Sequence, residues 1–166
     1  MMNKKNVFSS LLVIVLVFNF LAGVYFSAFI QPKIVFRAEI TKVSGQDYER
    51  ILNDDHGMYA NKDIEKFRHI RVEIKVIEPI GIENDIQIER DNLEKYLKNN
   101  KLQVIGGGLF EYGEGKEYEE NSEIYLSDIS ENELRNILQD FRYKVTWKDC
   151  WNKENDKVFY FRDYVK

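Results

Sequence analysis

SENELRNILQDFRYKVTW, residues 130–147, carries two periodicities in one unbroken run. Leu134, Ile137, Leu138 and Phe141 fall at i, i+3, i+4 and i+7, the stripe of a helix that buries one face. Ser130 and Glu133 stand at capping-box spacing, and Ile129 is placed to staple onto Leu134. From Tyr143 the period changes to two. Tyr143, Val145 and Trp147 alternate with polar residues, as in a strand with one buried face.

The same pattern occurs upstream in residues 91–112. Asp91 reads as a helix cap with Glu94 completing the box, and Leu93, Tyr96 and Leu97 form the apolar face. A strand over 102–112 follows, interrupted by Gly106, Gly107 and Gly108. Two capped helices, each feeding a strand, suggest two β-α-β halves.

Four more strands read clearly. Residues 34–43 alternate around Phe36, Ala38 and Ile40, and residues 69–77 around Ile70, Val72, Ile74 and Val76. Residues 120–126 and 157–165 supply the others, and residues 80–88 an irregular edge. A short helix after Ser44 carries Tyr48, Ile51 and Leu52 on one face, and Ile64 and Phe67 mark another helical piece. The expected fold class is α+β: a mainly antiparallel sheet with helices packed on one face, ferredoxin-like with an added C-terminal hairpin.

In front of this domain lies a stretch of different chemistry. Residues 7–30 contain no Asp, Glu, Lys, Arg or His, and 16 of the 24 are Val, Ile, Leu or Phe. As a helix they span about 36 Å, enough for a hydrocarbon core of about 30 Å. Those 16 residues contribute about −5 to −10 kcal/mol to insertion, and Asn19 opposes them weakly. Pro32 and Lys33 end the run. The reading is an uncleaved signal anchor, one transmembrane helix over 7–30. Cleavage as a signal peptide, giving a secreted protein, is the alternative. Its cleavage sites are poor, because Ala22 and Ala28 each have a Phe two residues before them.

With Lys4 and Lys5 before the span and too few residues ahead of it to form a domain, residues 1–6 are expected in the cytoplasm. Residues 34–166 are then an extracytoplasmic domain at the cell membrane. All 28 acidic residues lie in that domain with 21 of the 24 basic ones, a formal charge of −7. Such a domain repels phosphate backbones, so nucleic acid is not an expected partner. The abundance of Ile, Lys, Asn and Glu fits codon usage in an AT-rich bacterial genome.

Catalytic chemistry is hard to assemble from this chain. Cys150 is the single cysteine, so the domain has no internal disulfide. It is a candidate reactive thiol, with Lys148 favouring the thiolate and Asp149 opposing it. His56 and His69 are the only histidines, and neither lies in a zinc or calcium pattern. The three glycines lack the Gly-Lys-Ser/Thr of a phosphate loop and read as a bulge or a close backbone approach. The run of Glu117, Glu119, Glu120 and Glu123 reads as a solvated hairpin loop. No metal site and no cofactor is expected.

The one enriched cluster is aromatic and C-terminal. Trp147, Trp151, Phe159 and Phe161 are the candidate partner-binding residues, able to dock a protein or stack on a cell-wall sugar if exposed. The expected function is a membrane-anchored, non-catalytic binding or accessory domain at the cell surface. The alternative is a small extracytoplasmic enzyme, a hydrolase or a thiol enzyme, with Cys150 or a carboxylate near His56 or His69.

Overall fold

The computed structural model describes residues 4–29, 31–54, 58–79, 85–100, 102–149 and 152–165. The chain begins with α1 (Lys4–Phe29), whose described side chains, residues 11–25, are mostly exposed, Phe18 at 73%. Among the described residues no helix is long and apolar enough to cross a membrane. The case for an anchor is therefore the sequence's own.

From Lys33 onward the protein is α+β, with two antiparallel sheets. The larger has the order β1-β2-β5-β4, from β1 (Lys33–Lys42), β2 (Phe67–Ile77), β4 (Gln103–Tyr112) and β5 (Glu117–Tyr125). The smaller has the order β3-β6-β7, from β3 (Gln87–Arg90), β6 (Arg142–Lys148) and β7 (Glu154–Tyr160). α2 (Gly45–Asp54) and a 3-10 turn, Ile64–Lys66, join β1 to β2.

The ferredoxin-like expectation fails on connectivity. α3 (Leu93–Asn99) carries the chain from β3 in the small sheet to β4 in the large one, and α4 (Glu131–Leu138) carries it back from β5 to β6. The two helix–strand repeats are crossings between sheets rather than halves of one sheet. The helices also do not share one face. Ile70, Val72, Ile74 and Val76 of β2 point to the main core, with α3, α4 and the small sheet. Phe67 points the other way, into a second cluster with Val43, Ile51, Tyr59 and Tyr125 beneath α2. Strand alternation makes this unavoidable, because residues of opposite parity face opposite sides.

Aromatic contacts join the two sheets. The Phe36 ring of β1 lies 5.6 Å from Tyr143 and 5.4 Å from Phe159. Leu93, Leu97, Leu134 and Leu138 from the helices are fully buried beside them. Ser130 and Glu133 form the expected reciprocal cap on α4. On α3 the cap is Asn92, whose side chain accepts from the Lys95 N–H at 2.7 Å. The helix begins at Leu93, one residue too late for Asp91, whose N–H extends the β3–β6 ladder to the Arg142 carbonyl.

Two further expectations change. Glu117 to Glu123 is not a loop but most of β5; the turn is shorter, with positive φ at Gly113, Glu114 and Gly115. The last strand ends at Tyr160, where a 3-10 turn, Phe161–Asp163, bends the chain so that Val165 bridges Ala38 in parallel. Residues 80–84 of the irregular edge lie outside the described residues.

Candidate functional site

The face of the large sheet opposite the main core carries paired charges beyond α2. Arg37 meets Glu73 at 3.4 Å, Arg71 meets Glu119 at 3.0 Å, and Lys75 pairs with Glu117. Each pair joins neighbouring strands; Arg37–Glu73 and Lys75–Glu117 are direct register partners, and Arg71 reaches Glu119 diagonally. The hydrogen bond to Glu119 is the main cause that raises the Arg71 pKa. This lattice holds the strands together, although Arg71 Nε is buried without a hydrogen-bond partner among the described residues. A groove of about 360 Å³ lies at its β1 edge, between Arg37, Glu39, Arg71 and Tyr164.

The lattice stops at β4. The strand bulges between Val104 and Gly106, and Gly106, Gly107 and Gly108 present no side chains. A Cβ on Gly107 would stand 2.5 Å from the Asn121 carbonyl oxygen, so the backbones approach too closely there for any other residue. Above these glycines lies a groove of about 250 Å³, walled by Arg50, His69, Glu123 and Phe110. His69 and Glu123 are direct cross-strand neighbours. Arg50 reaches down from α2 to hold the Glu123 carboxylate in an ion pair.

β4 is also an edge. Among the described residues none forms a main-chain hydrogen bond to its outward side. Beyond the glycines the strand turns apolar: Leu109 is 40%, Phe110 48% and Tyr112 51% exposed. The Phe110 and Tyr112 rings lie on one face, nearly parallel at 13°. An open edge with exposed aromatics is a template for another strand.

One polar cluster is buried. Glu120 points inward from β5 and accepts from Tyr143 Oη at 2.7 Å, Arg90 Nη1 at 2.9 Å and the Leu93 N–H at 3.1 Å. Burial is the main cause that pushes the Tyr143 hydroxyl far above its usual pKa, and the Glu120 charge adds to it. This cluster ties β5 to β6, β3 and α3, and its Arg90 also borders an open groove of about 470 Å³ with Asp91, Asn92, Lys95 and Tyr96.

The residues expected from sequence fall elsewhere. Trp147, Phe159 and Phe161 are 7%, 2% and 0% exposed, so these three pack the core and form no docking surface. Trp147 of β6 and Phe159 of β7 face the main core, and Phe161 enters it from the 3-10 turn after β7. Trp151, Cys150 and His56 lie outside the described residues. His69 does lie beside a carboxylate, Glu123. No group of three or more potential metal ligands converges among the described residues. Among the described residues after Lys33, the exposed aromatics are instead Phe110, Tyr112 and, less so, Tyr164, and the sequence signal of the first two was the run Leu109, Phe110 and Tyr112. Large apolar residues there occupy both parities of one strand, so both cannot be covered by a single core.

No protein-family model, curated protein or solved structure matches the chain.

Proposed function

We propose that this is a membrane-anchored, non-catalytic binding domain whose working surface is the open edge of β4 from Gly106 to Tyr112. The anchor reading is supported by the 24 uncharged residues 7–30. Asn19 donates to the Val15 carbonyl at 2.9 Å, which lowers the cost of burying its amide in lipid. Residues 34–166 then stand outside the cytoplasm as an acidic domain close to the membrane surface.

One observation carries the binding reading. β4 combines an unpaired main-chain edge with half-exposed Phe110 and Tyr112, next to three positions without side chains. Proteins ordinarily blunt such an edge with charge or proline, and between Gln103 and Tyr112 the only charged residue is Glu111. A photo-crosslinking amino acid placed at Phe110 or Tyr112 in the native host is expected to yield a discrete adduct, and one at Met58 none. Protease added to intact cells is expected to remove residues 34–166. A chain with no adduct at either aromatic, or a domain protected until cells are opened, overturns the respective half of the reading.

A small hydrolase is the second reading, and the pairing of His69 with Glu123 across a groove favours it. Against it, Arg50 already holds the Glu123 carboxylate as an ion pair. Hydrolytic activity abolished by His69→Gln, with binding through Phe110 intact, would decide for the enzyme.

A further inference from the structure

Resting on the anchor reading above, we infer that the domain seats one end of its large sheet on the lipid headgroups, through Ile77, Tyr112 and the turn between β4 and β5. Chain connectivity selects that end. Lys33, the first residue of β1, follows Ile30, the last of the uncharged run, after only Gln31 and Pro32. Those steps reach about 10 Å when extended, and the headgroup layer on each side of a bilayer is about 5–7 Å deep. β1 therefore starts at the lipid surface and runs away from it. β2 returns, placing Ile77 opposite Lys33. β5 starts again from this end, with Glu117 opposite Lys75, and β4 finishes there, with Tyr112 opposite Glu117. The Val76 N–H donates to the Lys116 carbonyl at 2.8 Å, which ties the turn to the end of β2. At the rise of a strand, Tyr112 lies about 7 Å beyond the level of Lys33, and the turn after it comes back to that level.

The side chains at this end suit lipid. Register partners share a face, so Ile77 and Tyr112 lie on the same side of the sheet. Ile77 is 44% and Tyr112 51% exposed. A tyrosine, with an apolar ring and a polar tip, is a residue of the bilayer interface. Lys33 can lay its stem on apolar surface while its ammonium stays among the headgroups. Charge does not oppose the approach. The domain carries a formal −7, yet at this end of the sheet Lys33, Lys75 and Lys116 stand with Glu78, Glu111, Glu114 and Glu117, near balance. Two of these cations are paired, Lys75 with Glu117 and Lys116 with Glu78. Phe110, one step up the same face, stays clear for the partner of β4. The opposite end of the sheet, where α2 and the 3-10 turn join β1 to β2, is farther from the lipid by the length of β1, about 30 Å. Met58, 71% exposed, belongs to that end.

The test uses the full chain carrying Cys150→Ser, reconstituted in phosphatidylcholine vesicles, some of whose lipids bear a nitroxide at the headgroup. A small fluorophore is attached to Ile77→Cys, Tyr112→Cys or Met58→Cys, all exposed positions whose labelling is expected to leave circular dichroism unchanged. Nitroxide quenching needs near contact, so it is expected to be at least about threefold stronger at positions 77 and 112 than at position 58, which stands about 30 Å away. Vesicles that float with the chain but show equal quenching at the three positions, or quenching at only one of the first two, overturn the inference and leave the anchor standing. A chain that does not float with the vesicles overturns both.

Discussion

Glu120 shows how much one residue can organise. It is an acid on the core-facing side of a strand, 4% exposed at its side chain, and it receives three donors from three different elements. Tyr143→Phe removes one charge-assisted hydrogen bond and is expected to lower stability by about 1.5–3 kcal/mol. Glu120→Ala strands the partly buried Arg90 as well and is expected to cost about 3–5 kcal/mol. Urea unfolding of the two variants gives both numbers, and the order of the two is the decisive result. Nothing in the sequence singled out Glu120 among Glu117, Glu119, Glu120 and Glu123. The run reads as solvated because charge is visible in a sequence and the distant donors Arg90 and Tyr143 are not.

A second carboxylate sets an acid limit. Hydrogen bonds from Arg68 and then Arg135 hold the Glu131 carboxyl below its usual pKa. A group whose folded pKa is depressed stabilises the fold at pH above its unfolded value, and that contribution is lost as pH falls through the folded one. Stability measured from pH 7 down to pH 2 is expected to decline from about pH 4.5. The Glu131→Gln variant is expected to decline less steeply over the same range.

At the level of elements, local rules governed what the sequence made legible. The α4 cap, the alternation of β2 and the period change into β6 depend on residues within one or two turns, and each stands as read. Where a neighbour from another element intervenes, the reading shifts. Asp91 continues the β3 ladder to Arg142, the helix starts one residue later than read, and Asn92 is the α3 cap. The glycine run of β4 was legible as a bulge or close approach, and its partner Asn121 was not. Gly107→Ala is expected to destabilise by about 1–3 kcal/mol, since the added methyl meets main-chain oxygen that cannot swing aside. Gly45→Ala, with open space around its Cβ and a place at the start of α2, is the control and is expected to be neutral or slightly stabilising. Thermal melts of the two variants make the comparison.

For the whole molecule, the class α+β was readable and the number of sheets was not. The order of helices and strands is the same whether each helix returns to its own sheet or crosses to another. Only the inward aromatics decide between them, by giving Phe36 of one sheet the company of Tyr143 and Phe159 of the other. The same aromatics explain why the C-terminal cluster looked available for binding. Phe159 is buried from β7 and Phe161 from the 3-10 turn after it, which folds the chain end inward. A core shared by both sheets predicts one cooperative unit. Native-state hydrogen exchange is expected to give the same opening free energy for the Ile74 and Val145 amides, in β2 and β6. A gap of more than about 1 kcal/mol between them would mean that the sheets open separately.

The two borders of the large sheet are not alike. Val165 bridges Ala38 and the Tyr164 ring sits 5.0 Å from Phe36, so the β1 border is already occupied where the β4 border is bare. Extension of this sheet by an added strand is therefore met by less obstruction at β4 than at β1, and an aggregate seeded from the domain is expected to grow from the β4 side.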